Sequence, residues 1–290
     1  VNIKLLQSPE QSLLEAFLLP HIETSMFLLS NARNAGLDFS GQLYGCTYLA
    51  AIEAGEIVGV VAHAWNGMLL LQAPKFLDEL AKEILSLTKR PLSGISGPWS
   101  QTQRTIKALG LSSWPVSIGE PEKLYRLELE GLQAPSLLQQ EDVNCRRGTL
   151  GDVELLMDWR MAYQFELFNS ADNEQLREST RQTLMTNLEH RCMWVLEVQG
   201  ELVSMMAFNA MLPECVQIGG VYTPSKWRGK HYGRAVVAGS LLDAQKEGRK
   251  QAILFTPQQL FSAQACYESL GFQHTGPFGL ILFDAPFQAA

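Results

Sequence analysis

The order of elements between Met193 and Thr256 constrains this chain more than any other feature. Three strand-like runs, Met193 to Val198, Leu202 to Met211 and Cys215 to Thr223, are joined by turns at Gly200 and Pro213. A helical pattern from about Tyr232 to Glu247 ends at Gly248, a C-cap residue, and leads directly into a strand at Gln251 to Thr256. Upstream, LGDVELLMDWRMAYQFELF places apolar residues at three- and four-residue spacing from about Asp152, with Thr149 as N-cap, and a polar helix runs from Asn173 to Glu189. Downstream, a helix at about Ser262 to Leu270 breaks at Gly271 before a strand near Gly279 to Phe283. This predicts an α/β class, with helices packed on a mixed sheet.

A length of 290 residues is more typical of two domains than one, and 46% hydrophobic residues suffice for a large core. Leu129 to Asp142, with Gly131 and Pro135, lies near the middle between two strand-like runs and reads as a linker. The first half repeats the second half's order faintly. Helical patterns at Glu10 to Leu19 and Ser25 to Ala35 precede strands near Tyr44 to Glu53 and Ile57 to Ala64, with Trp65 to Gln72 as a third. A helix at Phe76 to Leu87, a strand at Leu92 to Ile95 and a helix at Gln101 to Leu109 end at Gly110, in the position that Gly271 takes later. A duplication and an unrelated α/β domain both remain open.

With 23 Lys+Arg against 30 Asp+Glu, the formal net charge is -7, which argues against a surface that coats nucleic acid or anionic membrane. Any anion site must be local. Cys46, Cys145, Cys192, Cys215 and Cys266 are odd in number, scattered and without a C-x-x-C pair, so a disulfide framework or structural zinc is not expected. The apolar stretch Ile57 to Ala73 is too short to span a bilayer, and no signal-peptide order is visible. The expectation is a soluble cytoplasmic protein. His21, His63, His190 and His274 lack metal-ligand spacing, so no metal is expected.

The most informative stretch is Gly219 to Ala235, GGVYTPSKWRGKHYGRA, between a β-rich run and a helix. A glycine-containing loop that opens a helix offers unpaired backbone N–H groups and the positive end of the helix dipole. Lys226, Arg228, Lys230 and Arg234 add cations without an acid among them. A turn with solvated charges is the alternative reading for such a run alone. G-x-x-x-x-G-K-[ST] is absent, and no G-x-G-x-x-G follows an early strand, which disfavours nucleoside triphosphate and dinucleotide sites.

Arg228-Gly229-Lys230-His231-Tyr232-Gly233 resembles the Gln/Arg-x-x-Gly-x-Gly/Ala signature of the GNAT acyltransferase superfamily, with His231 in place of the central glycine. Ala263, Tyr267, Gly271 and Phe272 resemble that family's A-x-x-x-Y-x-x-x-G-F ending, with Leu260 where many members carry asparagine. The resemblance covers about Val143 to Phe283. It extends to tandem GNAT proteins in which one half is degenerate, and it implies two GNAT-like domains, each a mixed, mainly antiparallel sheet flanked by helices. Residues 1–130 would form the degenerate domain, 131–142 the linker, and 143–290 the domain that binds acyl-CoA.

The resemblance implies acetyl-CoA or another acyl-CoA as donor. Backbone amides of Arg228, Gly229, Lys230, His231, Tyr232 and Gly233 would surround the pyrophosphate, with Tyr222 and Arg234 beside them. Val221 and Thr223 would pair with pantetheine amides like an added strand. Gly219-Gly220 within a strand fits a bulge that opens a slot for that arm. Tyr267 would give a proton to the leaving thiolate. Glu166, flanked at helical spacing by Trp159 and Tyr163, is the candidate base, with Glu214 or a water chain as competitors. In the first half, Ala73-Pro74-Lys75 replaces the loop, and proline supplies no N–H, so only the second half is expected to bind CoA.

The expected function is acyl-CoA-dependent transfer, of acetyl, to a primary amine on a small molecule or peptide. No nucleic-acid or membrane partner is expected, and a homodimer stays open. A non-catalytic acyl-CoA-binding module and an aminoacyl-tRNA-dependent transferase are the alternatives. The first half would supply an interface, a wall of the acceptor site or structural support.

Overall fold

A computed structural model describes residues 1–168 and 170–288. The first half of the chain contains, in order, β1 (Asn2–Leu5), α1 (Gln11–Leu18), α2 (Ile22–Ala35), β2 (Cys46–Glu53), β3 (Glu56–Ala64), β4 (Met68–Gln72), α3 (Leu77–Thr88), β5 (Leu92–Pro98), α4 (Trp99–Ala108), β6 (Val116–Ile118) and β7 (Glu122–Glu128). The second half contains β8 (Val143–Arg147), α5 (Val153–Phe168), α6 (Glu174–Glu189), β9 (Met193–Val198), β10 (Glu201–Met211), β11 (Cys215–Tyr222), α7 (Tyr232–Lys246), β12 (Gln251–Pro257), α8 (Phe261–Glu268) and β13 (Gln273–Phe287).

Apart from the short β6 before β7, the two halves share one sequence of elements: a strand, two helices, three strands, then helix, strand, helix and a closing strand. Local backbone repeats as well. Phe76 and His231, each immediately before the helix that follows the third of those strands, both adopt left-handed conformations, with φ of 56° and 61°. Gly110 and Gly271, just past α4 and α8, have φ of 70° and 101°. A left-handed residue after a helix turns the chain out of its spiral, and glycine does so without a Cβ clash.

The chain forms two compact units that are not separated by a single cut. Unit 1 comprises Val1–Leu124, Phe255–Gln259 and the chain end from Thr275, while unit 2 comprises Tyr125–Leu254 and Leu260–His274. The larger part of each half's last strand, Tyr125–Glu128 of β7 and β13 from Thr275, therefore belongs to the other half's unit. In unit 1, β1, β2, β3 and β4 pair antiparallel in order, β4 and β5 pair parallel, and β13 pairs antiparallel with β5 from Phe278↔Pro98 to Leu282↔Gly94. Its core packs Leu80, Ile84, Ile95 and Ile281 together. The stretch Ser8–Ala35 is long and apolar enough, by length and composition, to cross a membrane. It is broken at Pro20, between α1 and α2, and buries Leu14, Leu18, Leu28 and Leu29.

In unit 2 the strand order is β7, β12, β11, β10, β9, β8. β11 and β12 pair parallel and the pairs among β8 to β11 are antiparallel, which makes the sheet mixed. α7 packs its Ala235, Val236, Ala238 and Leu241 with Trp194, Val216 and Leu254. α5 and α6 contribute Leu156, Trp159 and Leu184 to a second cluster with Val195 and Met205. No disulfide links any of the five cysteines, all of which lie among the described residues.

Candidate active site

Strand β11 ends in two irregularities that face each other. Its ladder to β10 shifts register between Met205/Ala207, which accommodates an extra residue at Gly220-Val221, and again between Phe208/Ala210, which accommodates Asn209 on β10. Such bulges bend and twist the strand that carries them. On its other side β11 pairs with β12 only at Cys215↔Gln251, Val216↔Ala252 and Gln217↔Ile253. Beyond that point the edge of β11 has no ladder partner among the described residues, so a run of backbone donors and acceptors is available to an extended ligand. Gly220 has φ +59°, and a Cβ there would stand 2.6 Å from Arg160 Nη1. The left-handed backbone favours glycine, and a Cβ there would displace the guanidinium end of Arg160.

Pro224 follows β11 and opens a tight turn in which Trp227 N–H donates to Pro224 C=O at 2.8 Å and Arg228 N–H to Ser225 C=O at 3.2 Å. Gly229 (φ +79°) and His231 (φ +61°) then rotate the backbone so that α7 begins at Tyr232. The first bond within α7 runs from Ala235 N–H to His231 C=O, which leaves the amides of Tyr232, Gly233 and Arg234 without a partner inside the helix. Gly233 comes close to the end of β11, where a Cβ would lie 3.3 Å from Thr223 Oγ1. Thr223 is itself held by Ser204, whose hydroxyl lies 2.9 Å from Thr223 Oγ1 and 3.0 Å from Tyr222 C=O.

The cations of this loop divide into two kinds. Lys226 and Lys230 are exposed, with each Nζ about 5 Å from the Trp227 ring (5.0 and 4.9 Å). Arg228 instead turns back: its Nε donates to Thr223 C=O at 2.9 Å, and its Nη2 pairs with Glu166 Oε2. Arg234 donates to Ser269 C=O at 3.0 Å and ties α7 to the end of α8. Trp227 Nε1 is buried without an acceptor among the described residues. Open amides, two lysines and an unoccupied indole donor in a segment without acids suit an anionic group such as a pyrophosphate.

Among the residues expected from sequence, Glu166, Tyr222, Thr223 and Arg228 are brought together. Glu166 Oε1 accepts from Tyr222 Oη at 2.9 Å while Oε2 accepts from Arg228. Burial, with the Glu166 carboxylate adding to it, raises the Tyr222 phenol above its ordinary range. Tyr163 stands edge-on to Tyr222, with ring centroids 6.4 Å apart. Tyr267, on α8, is buried against Phe272 (5.9 Å) and Tyr125 (6.5 Å). Burial, helped by the neighbouring Cys266 and Tyr163, pushes its phenol far above the usual tyrosine range, so it holds its proton. The motif around it closes the helix, since Leu270 and Phe272 N–H both donate to Tyr267 C=O. Glu214 precedes the first residue of β11, roughly 26 Å of strand from Tyr222.

Arg160 is a residue that the sequence reading passed over. It shares α5 with Tyr163 and Glu166 at three-residue intervals, which places the three along one side of the helix. Among the described residues no group of three or more His, Cys, Asp or Glu is placed to hold a metal ion.

Residues 153–272, from the start of α5 to the end of the Tyr267 motif, match the Acetyltransferase (GNAT) family. That match takes in 120 of the 290 residues. A 97-residue stretch is 31% identical to rat N-acetyltransferase family 8 member 3, and the match spans 31% of this chain and 41% of that protein. Solved structures resemble nearly the whole chain. A GNAT-family acetyltransferase from Colwellia psychrerythraea matches at TM-score 0.56 and 13% identity, over 98% of this chain and 100% of that one. A Drosophila protein matches at TM-score 0.68 and 14% identity, over 97% and 98%. A tandem GNAT protein from the clavulanic acid biosynthesis pathway matches at TM-score 0.55 and 10% identity, over 98% of both chains. At these identities the likeness shows the fold, a GNAT fold that in one case is tandem.

Proposed function

We propose that this chain transfers an acetyl group from acetyl-CoA to an amine, with the donor held by unit 2. The observation that carries this reading is the unpaired edge of β11 beyond Gln217 running into the left-handed turn at His231 and the open end of α7. Tyr232, Gly233 and Arg234 amides, with Lys226 and Lys230, would take the pyrophosphate, and Val221 and Thr223 would pair with the pantetheine arm. Bound there, the donor supplies an activated acyl carbon: the acceptor nitrogen bonds to it as the C–S bond breaks, the thiolate gains a proton and the amine loses one.

Tyr267 is the chain's proton donor in this scheme: it holds the tyrosine position of the A-x-x-x-Y-x-x-x-G-F ending, and its phenol carries a proton to give. Both Glu166 oxygens are engaged, by Tyr222 and by Arg228, so Glu166 acts by positioning those two groups, and the amine's proton leaves through solvent.

Titration of the purified protein with acetyl-CoA should give a saturable binding isotherm, and no binding at millimolar donor would overturn the reading. Tyr267→Phe should lower turnover by roughly 10²-fold, the lower end for a general acid, with the acetyl-CoA dissociation constant nearly unchanged. An unaltered rate would remove Tyr267 from the chemistry.

A further inference from the structure

Among the described residues, Arg160 is a cation with no anion paired to it. Its Nε is buried with no hydrogen-bond partner, and among the described residues no carboxylate pairs with it. The carboxylate six residues along the same helix, Glu166, is already taken by Arg228 and Tyr222. Around Arg160 the contacts are the Tyr163 ring, 5.3 Å from its guanidinium carbon, and the bare backbone of Gly220. Trp159, beside it on α5, packs in a core cluster with Met205 and Ala207. An uncompensated guanidinium beside such a core is costly, and an anionic ligand would offset that cost.

Its position says which anion. Six residues of helix separate Arg160 from Glu166, about 9 Å along the axis. Gly220 likewise lies three residues, roughly 10 Å, before Thr223 and the loop that suits a pyrophosphate. Arg160 thus stands at the bulge, at the far end of the open strand edge from the phosphate site, where the acyl group of a donor laid along that edge would end. The group that must meet the acyl carbon there is the acceptor. A guanidinium fork matches a carboxylate in planar, bidentate fashion, and in an amino acid the carboxylate fixes the amine two bonds away.

Resting on the acetyltransferase reading, we propose that Arg160 binds the carboxylate of the acceptor, so that the amine this chain acylates belongs to an amino acid or a similar amino-carboxylate. The chain then selects its acceptor by the fork of Arg160 beside the glycine bulge, and amines without a carboxylate are poor acceptors.

The test uses the full chain, acetyl-CoA, and a panel of L-amino acids with their α-amides and polyamines, and follows thiol release and acylated product. Amino acids should be acylated, with KM at least 50-fold below that of the matching amides. Arg160→Gln should raise KM for the amino acid by a similar factor with the acetyl-CoA dissociation constant within threefold of the parent, and Arg160→Lys should lie between. Equal use of acids and amides, preference for polyamines, or an unmoved KM in Arg160→Gln would overturn the proposal. A readout independent of turnover is thermal stabilisation by N-acetyl-L-amino acids but not by their amides, lost in Arg160→Gln; equal stabilisation by both would overturn carboxylate recognition. Failure of acetyl-CoA to bind would overturn the transferase reading instead. Arg160→Met should melt at or above the parent temperature, because it removes an uncompensated charge, and a clear fall would assign Arg160 a structural role and overturn the proposal.

Discussion

His231 stands where the family's signature carries glycine, and its φ of +61° gives the reason for that glycine. A left-handed residue at this point sets the first amides of α7 facing outward, and a side chain with a Cβ costs about 1–2 kcal/mol in that conformation. Histidine is one of the non-glycine residues that enter it most readily. The imidazole is exposed and makes no capping bond, so it neither crowds the open amides from within nor supports them. His231→Gly is therefore expected to stabilise the fold by about 0.5–1 kcal/mol in chemical denaturation, with the acetyl-CoA dissociation constant no weaker than the parent's. A loss of affinity beyond threefold would show instead that the imidazole donates to the ligand. The loop was legible in sequence because its residue types and order are local. What the loop's cations do was not: Arg228 and Arg234 are committed to Glu166, Thr223 and Ser269, partners brought near by folding.

Helix α5 shows how an element is specified before its tertiary contacts. Thr149 and Asp152 form a reciprocal cap, with Thr149 N–H and Oγ1 both 2.8 Å from Asp152 Oδ2, and Arg146 grips the same carboxylate at 2.8 and 3.0 Å. The Arg146 guanidinium, with the Thr149 bonds, lowers the Asp152 carboxyl to about 2, against the ordering penalty of burial. Because the folded value lies below the unfolded one, this stabilisation is present above about pH 4 and is lost as pH falls through about 2. Asp152→Asn should cost about 1–2 kcal/mol at pH 7 after allowance for partial exposure of Arg146, with the difference fading in acid unfolding below about pH 4. A penalty that is constant with pH would mean that the cap hydrogen bonds, not the charge, account for it. The elements of the second half were readable because each carries its own period and its own stops. β1 and β6 were not, since strands of four and three residues, largely exposed, carry too few alternations to register. β13 extends well beyond Gly279 to Phe283 because its pairing with β5 recruits residues on both sides, Pro277 notwithstanding.

At the scale of the molecule, the exchange of closing strands is what a linear reading could not supply. Composition marks the linker after Leu129, and a cut there looks natural, yet the chain end from Thr275 belongs to unit 1 and Tyr125–Glu128 to unit 2. Pairing between residues almost two hundred positions apart leaves no local trace. Its energetic consequence is direct. β13 supplies the antiparallel ladder on one side of β5, from Phe278↔Pro98 to Phe287↔Leu92, and buries Ile281 and Phe283 in the core of unit 1. Burial of two such side chains contributes about 3–6 kcal/mol, comparable to the entire stability of a small domain. A fragment comprising residues 1–130 would lose that ladder and expose the apolar edge of β5, a template for association. Expressed alone, it should lack a cooperative unfolding transition and should aggregate, whereas the full chain unfolds cooperatively. Adding a synthetic peptide of residues 273–288 should restore part of the transition in a saturable manner. A fragment that folds and stays monomeric without the peptide would show that unit 1 does not depend on the second half's last strand.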